Sequence, residues 1–384
     1  MNQLIDARAR EVIERDLDRT LVVEAAAGTG KTTALISRIT AVIRSGQTTL
    51  DRVVAVTFTE KAAGEMKLRL RAELDRARHE ANGAEQRAHL ERALAALEVA
   101  HINTIHGFCA DLLRERPVDA GIDPKFEVLD EAAAEALLQE AFRNWFERAL
   151  SVPGEGLRRM LRRRSWRAER STPRDELLRA CRDLVEYRDF DAPWAFPDFE
   201  REPLIDELVE RFRGLGAFLP LARNASDQLA RAMGEFQAFV EALDARERVR
   251  KRDYDALEVE FAEFLRTKKR TFSAVGYGQL YGASLDRNAV LSERNELKAS
   301  LERFLALADA DLAAHLREEL LGVVAEREQL KRRLGALDFV DLLSFTRDLI
   351  KDNRAVREQL QRRFTHLFID EFQDTDPLQA EILM

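Results

Sequence analysis

The chain has 384 residues, 46% of them hydrophobic, enough apolar content to bury one large core or two modest ones. No run of roughly 18 apolar residues occurs and the N-terminus lacks a signal-peptide pattern, so the expectation is a cytoplasmic protein with no membrane partner. The net charge of -8 speaks against a generic polyanion coat, and the two cysteines, Cys109 and Cys181, are too few for a disulfide framework and form no CxxC or Cys/His cluster for zinc or iron-sulfur ligation.

The first predicted element is a strand, Leu21-Val22-Val23, which runs through Glu24 into Ala25-Ala26-Ala27-Gly28-Thr29-Gly30-Lys31-Thr32-Thr33 and then a helix-patterned run, Ala34-Leu35-Ile36-Ser37-Arg38-Ile39. Strand, Gly-rich turn and helix in that order form a phosphate cradle. Gly28 and Gly30 let backbone N–H groups approach a polyphosphate, and the helix N-terminus adds partial positive charge. Lys31 is expected along the β and γ phosphates of ATP, with the Thr32 hydroxyl on Mg2+. The first loop position is Ala25 rather than glycine, so the strict pattern G-x-x-x-x-G-K-[ST] is not met.

Two further apolar runs, Val53-Val54-Ala55-Val56 and His101-Ile102-Asn103, are each followed by a helical stretch, as in parallel βαβ units. From about 116 to 330 the chain is rich in Leu, Ala, Glu and Arg at helical spacing, interrupted by Pro193, Pro197 and Pro203, by Gly214 and Gly216, and by Gly276-Tyr277-Gly278. Arg158, Arg159, Arg162, Arg163, Arg164, Arg167 and Arg170 cluster there with Trp166, and Lys251, Arg252, Lys268, Lys269 and Arg270 follow. Such patches either grip phosphate backbones or form solvated faces paired with glutamate, the commoner use.

A last apolar run, His366-Leu367-Phe368-Ile369, ends in Asp370-Glu371-Phe372-Gln373-Asp374, ahead of a helix start at Asp376-Pro377. Side chains at the carboxyl end of a parallel strand face the ligand crevice. Asp370 there is suited to magnesium, and Glu371 to taking a proton from an attacking water. The two ends of the chain thus read as halves of one nucleotide-hydrolysing site. The expected fold is α/β: a P-loop parallel sheet over 1 to 115 and 331 to 384, with a large all-α domain over 116 to 330 inserted in it.

With those residues in view, the chain resembles the ATP-binding portion of a superfamily 1 DNA helicase of the UvrD/Rep/RecB type, and so a RecA-like sheet. Glu24 through Thr32 is closest to the RecB and AddA branch, where alanine commonly occupies the first loop position. Val56-Thr57-Phe58-Thr59-Glu60-Lys61-Ala62-Ala63-Gly64-Glu65-Met66, with Arg69, resembles the second motif of that family, and Thr104-Ile105-His106-Gly107-Phe108-Cys109 the next. The resemblance implies that both lie along a single-stranded DNA track. Thr57, Thr59 and Thr104 offer hydroxyls to phosphates, and Phe58 and His106 offer flat faces to bases; Phe108 is left open between base and core. Leu337-Asp338-Phe339-Val340-Asp341-Leu342-Leu343 resembles the segment before the magnesium motif and is assigned a packing role. Gln373 matches the glutamine that links nucleotide and DNA elements.

The adenine-contacting glutamine of the family has no counterpart here: Ala9 or Arg10 stands in its neighbourhood and Gln3 comes too early, which leaves base selectivity open. The chain ends at Met384, directly after the magnesium motif, so an N-terminal fragment without the second motor domain is expected, with little turnover and no unwinding of its own. The resemblance further implies a role in DNA repair or recombination on single-stranded DNA or DNA ends, beside a second helicase or nuclease subunit. Two rival readings are a different ATPase class, which needs an L-S-G-G-Q signature that is absent, and an inert nucleotide- or DNA-binding remnant.

Overall fold

The computed structural model describes residues 7–26, 28–163, 172–188 and 195–384. The Ala27, Arg164, Trp166, Arg167, Arg170, Pro193 and Gln3 expectations therefore lie outside the described residues. The described chain is mostly helical, with a small parallel sheet, and divides into two compact units, 1–134 with 331–384 and 135–330.

The first unit is organised on the strands β1 (Val53–Thr57), β2 (His101–Thr104) and β5 (His366–Ile369), in the order β2-β1-β5 and all parallel. β1 pairs Val54 with His101 and Thr57 with Thr104 on one side, and Val53 with His366 and Val56 with Ile369 on the other. Its five residues are buried, which explains a continuous Val-rich run in place of alternation. Parallel neighbours need crossovers, and these are helical. Five helices flank the sheet strands in the first 115 residues: α1 (Ala7–Arg15), α2 (Lys31–Ser45), α3 (Glu60–Glu80), α4 (Ala84–Ala96) and α5 (Ile105–Glu115). Ile36, Ile39, Ile43, Met66, Leu70 and Leu74 pack with Val53, Ala55 and Phe368 in the main core of this unit. A second ladder joins β3 (Glu127–Val128) to β4 (Ala336–Leu337), also in parallel.

The strand expected over Leu21-Val22-Val23 is not formed: 21–26 has no ladder, and Val22 is 83% exposed. In the β2-β1-β5 order the outer edges of β2 and β5 stay unpaired among the described residues, and 21–26 takes neither, so its backbone groups are left to water.

The second unit is helical. Phe212 lies at the centre of its larger core, with the rings of Phe236, Phe239, Phe261 and Phe264 at 4.7 to 5.3 Å. The described members of the arginine cluster are paired with acids, as the commoner use supposes, Arg158 and Arg162 half-exposed and Arg159 buried. Arg158 is bonded to Asp255 at 2.6 Å, Arg162 to Asp253 at 2.7 Å, and Arg163 to Glu258 and Asp309 at 2.9 and 2.7 Å. Arg159 is almost wholly buried between Asp311 at 2.5 Å and Glu258 at 3.0 Å, and Arg201 joins Glu258 to Asp255. Of the later basic residues, Arg252 is tied to Glu247 and Asp206, and Lys268 to Glu235. No helix among the described residues is long and apolar enough to cross a membrane.

Candidate nucleotide and DNA site

The loop before α2 turns on two glycines in the left-handed region, Gly28 at φ 76° and Gly30 at φ 93°. A side chain at either would be strained there. Gly30 is the N-cap of α2 and supplies no side-chain cap, so the first N–H groups of this 15-residue helix are left for another acceptor. The other helix starts that bear motifs are closed: Thr59 accepts from Ala62 N at 3.1 Å, Thr104 from Gly107 N at 3.1 Å, and Asp338 from Asp341 N at 3.0 Å. Within the loop, the Thr29 hydroxyl donates to Ala26 O at 2.7 Å, while Ala25 and Ala26 are exposed and Thr33 lies exposed in the first turn of α2.

β5 carries the second half of the site to this turn. Asp370 N donates to Val56 O at 3.0 Å, extending the ladder by one residue. The Thr32 hydroxyl donates to Asp370 Oδ2 at 3.2 Å, and Lys31 Nζ lies 3.4 Å from Glu371 Oε2. Residues 338 and 340 positions apart are thereby neighbours. Glu371 is the one non-glycine residue at positive φ, 56°, among the described residues. Such a backbone costs about 1 kcal/mol. The Gln373 amide donates to the same Oε2, and this bond, then Lys31, holds the Glu371 carboxyl below the usual carboxylate range. Thr32 Oγ1 and Asp370 Oδ2 form a pair of hard oxygen donors beside the Lys31 charge, a set suited to a small divalent cation.

The residues expected along a DNA track divide into two groups. Thr57 and Thr104 are buried, and their hydroxyls donate inward, to Thr59 O at 3.1 Å and Glu60 Oε1 at 2.8 Å. In this structure Thr57 and Thr104 hold the ends of β1 and β2, and Thr59 and Thr104 start α3 and α5, with Thr59 itself exposed. Phe58 is 61% exposed at the carboxyl end of β1, and Arg69 is exposed on α3, loosely paired with Glu65 at 3.4 Å. His106 presents its ring to Phe339 at 5.1 Å, and burial holds its imidazole below the ordinary histidine range. Phe108 is a core residue, edge-on to Phe364 and His101.

Phe339 departs from the packing role expected of its segment. The packing role of its segment holds for Leu337, Leu342 and Leu343, which are buried, but Phe339 is 48% exposed. The signal was its place one residue after the capping Asp338, at an exposed helix start 5.1 Å from the His106 ring. Asp338 and Asp341 cap each other, and the buried Lys331 ammonium lies between them at 3.3 and 2.5 Å, which fixes that helix start.

The Lys31–Thr32 turn and the Asp370–Glu371 strand end thus form one polar cluster at the carboxyl edge of the sheet, with Phe58 exposed at the end of β1. The chain belongs to the UvrD/REP helicase N-terminal domain family, matched over residues 5–384. It is similar to an ATP-dependent helicase/nuclease subunit from Pediococcus pentosaceus, 30% identical over 404 residues, covering 94% of this chain and 32% of that protein. The protein of the same description from Ligilactobacillus salivarius is 26% identical over 423 residues, covering 98% of this chain and 33% of its own. That from Alkaliphilus metalliredigens is 26% identical over 397 residues, covering 94% and 32%. The chain thus spans about a third of the length of the curated relatives it matches.

Proposed function

We propose that this chain is the nucleotide-binding part of an ATP-driven motor that moves on single-stranded DNA in repair or recombination, on a RecA-like P-loop domain built from 1 to 115 and 331 to 384, with 116 to 330 as a helical accessory domain. The observation that carries this reading is the meeting of Lys31 and Thr32 with Glu371 and Asp370 across 338 to 340 positions of sequence. Bound magnesium-ATP supplies the phosphoryl group whose transfer to water drives the motor. The Gly28–Gly30 turn and the uncapped start of α2 bind the polyphosphate, and Lys31 exchanges its Glu371 partner for phosphate oxygens. Thr32 and Asp370 hold the cation. Glu371, released from Lys31 and oriented by Gln373, accepts a proton from water. Phe58, His106 and Phe339 stack bases and Arg69 meets the backbone, a combination of flat faces and charge that suits single strands. The relatives are each named as one subunit of a helicase/nuclease, which supports a partner subunit for the whole protein.

Two titrations on one preparation test this. A fluorescent single-stranded oligonucleotide and a fluorescent ATP analogue with magnesium both bind the wild type. Lys31→Ala loses the nucleotide and keeps the oligonucleotide, and Phe58→Ala does the reverse. Neither variant altering either ligand, or both ligands failing to bind the wild type, contradicts the proposal.

A further inference from the structure

The phosphate-type turn has few fastenings. Residues 21–26 lead into it without a ladder, and the two glycines that shape it gain nothing from side-chain packing. Two hydrogen bonds are internal to it, from Thr29 Oγ1 at 2.7 Å and Thr29 N at 3.4 Å, both to Ala26 O. Another comes from a different element: Arg10 on α1 donates through Nη2 to Thr29 O at 2.9 Å. Its second terminal nitrogen, Nη1, lies 3.8 Å from the point a Cβ on Gly30 would occupy. The guanidinium therefore spans Thr29 and Gly30, the last two residues before Lys31.

α1 is itself tied down from the far side of the turn. Arg38 on α2 donates through Nη1 to Ile13 O at 2.7 Å, on the same helix as Arg10, and through Nη2 to Arg19 O at 2.7 Å. The path from α2 through Arg38 to α1, and from α1 through Arg10 back to the turn that begins α2, is a closed clasp. Both bonds end on backbone carbonyls, so the clasp sets backbone geometry, and a fixed planar fork is the side chain best suited to that.

We propose that Arg10 is a positioning residue of the nucleotide site: it holds the Gly28–Gly30 turn open for a polyphosphate, and its effect on binding is independent of the base. The inference rests on the reading of this loop as a nucleotide site. The family resemblance leads one to expect a base-reading glutamine in this neighbourhood. Arg10 is instead engaged with the loop backbone, where it acts on whatever the N–H groups of the turn hold, adenine-bearing or not.

The test is a competition titration of the 384-residue chain with ATP, GTP and inorganic tripolyphosphate in the presence of magnesium, for the wild type, Arg10→Ala and Arg10→Lys. Arg10→Ala is expected to weaken all three ligands by one common factor, about tenfold, the size of one lost charge-assisted hydrogen bond. Arg10→Lys recovers part of it through a single donor to Thr29 O, and the melting temperature stays at the wild-type value. An unchanged affinity for all three overturns the proposal, and so does a loss confined to ATP, which marks a base contact. If Arg10→Ala does not fold, the same comparison between the wild type and Arg10→Lys decides: equal losses support the proposal and an ATP-only loss overturns it. A wild type that binds none of the three brings down the nucleotide reading and this proposal with it, whereas a wild type that binds while Arg10 has no effect brings down only the proposal.

Discussion

One ion pair from each unit shows two opposite uses of charge. In 135–330 two arginines are folded inward: Arg159 is 1% exposed and meets Asp311 and Glu258, and Arg201 bridges Glu258 and Asp255. In 1–134 with 331–384 the decisive pair stays near solvent, with the Lys31 side chain 28% and Glu371 42% exposed, at 3.4 Å, beside a helix start with no side-chain cap. A buried pair with saturated partners has one arrangement and is costly to break. A half-exposed pair at the edge of hydrogen-bond distance exchanges partners at small cost. Like residue types thus serve as a lock at Arg159 and as a replaceable contact at Lys31.

The largest effect is expected on the lock. Arg159→Ala leaves the Asp311 and Glu258 carboxylates short of a partner in the interior and is expected to destabilise the 135–330 unit by about 3–5 kcal/mol in urea unfolding, with nucleotide affinity retained in whatever remains folded. A loss below about 1 kcal/mol means that the network is solvated and that the contrast between the two pairs is wrong. Phe58→Ala comes next, with a loss of about 1–3 kcal/mol in oligonucleotide binding and no change in unfolding, since this ring is exposed.

How much of this was legible beforehand follows from where each residue's partners come from. β1, β2 and β5 were readable because each is a short apolar run bounded by turn residues. The Gly28, Gly30, Lys31, Thr32 loop and the Asp370, Glu371 strand end were readable because their chemistry is local. The strand expected at 21–23 was not to be had from sequence, since an apolar run becomes a strand only where a partner edge lies beside it, and that is set by distant residues. The inward turn of the Thr57 and Thr104 hydroxyls depends on Thr59 and Glu60, and the inward fold of Arg159 on residues about 100 and 150 positions away. Phe339 and Arg10 were missed for the same reason: one is defined by His106 and the other by the Thr29 carbonyl.

Smaller effects sharpen the role of the capping threonines. Thr104→Ala is expected to cost about 1 kcal/mol of stability in the first unit through loss of the α5 cap, with oligonucleotide affinity nearly unchanged; a large loss of affinity at constant stability would return this hydroxyl to the DNA track. The smallest effect is a pH dependence at His106. Its folded value is depressed by burial, so the folded state binds fewer protons than the unfolded one. The associated stability is full above about pH 6.5, the unfolded value, and is lost as pH falls through the depressed folded value. His106→Gln is expected to flatten that slope in acid-range melting curves, and an unchanged slope removes the burial argument.

The most direct test of the central claim, that the Lys31-Thr32 turn and the Asp370-Glu371 strand end form one site, is the magnesium dependence of ATP affinity in the wild type and in Asp370→Asn. The account predicts that magnesium tightens ATP binding to the wild type by about tenfold and leaves Asp370→Asn unaffected, because removing one of two cation ligands removes the linkage. An equal magnesium effect in both proteins would contradict it and separate the two ends of the chain.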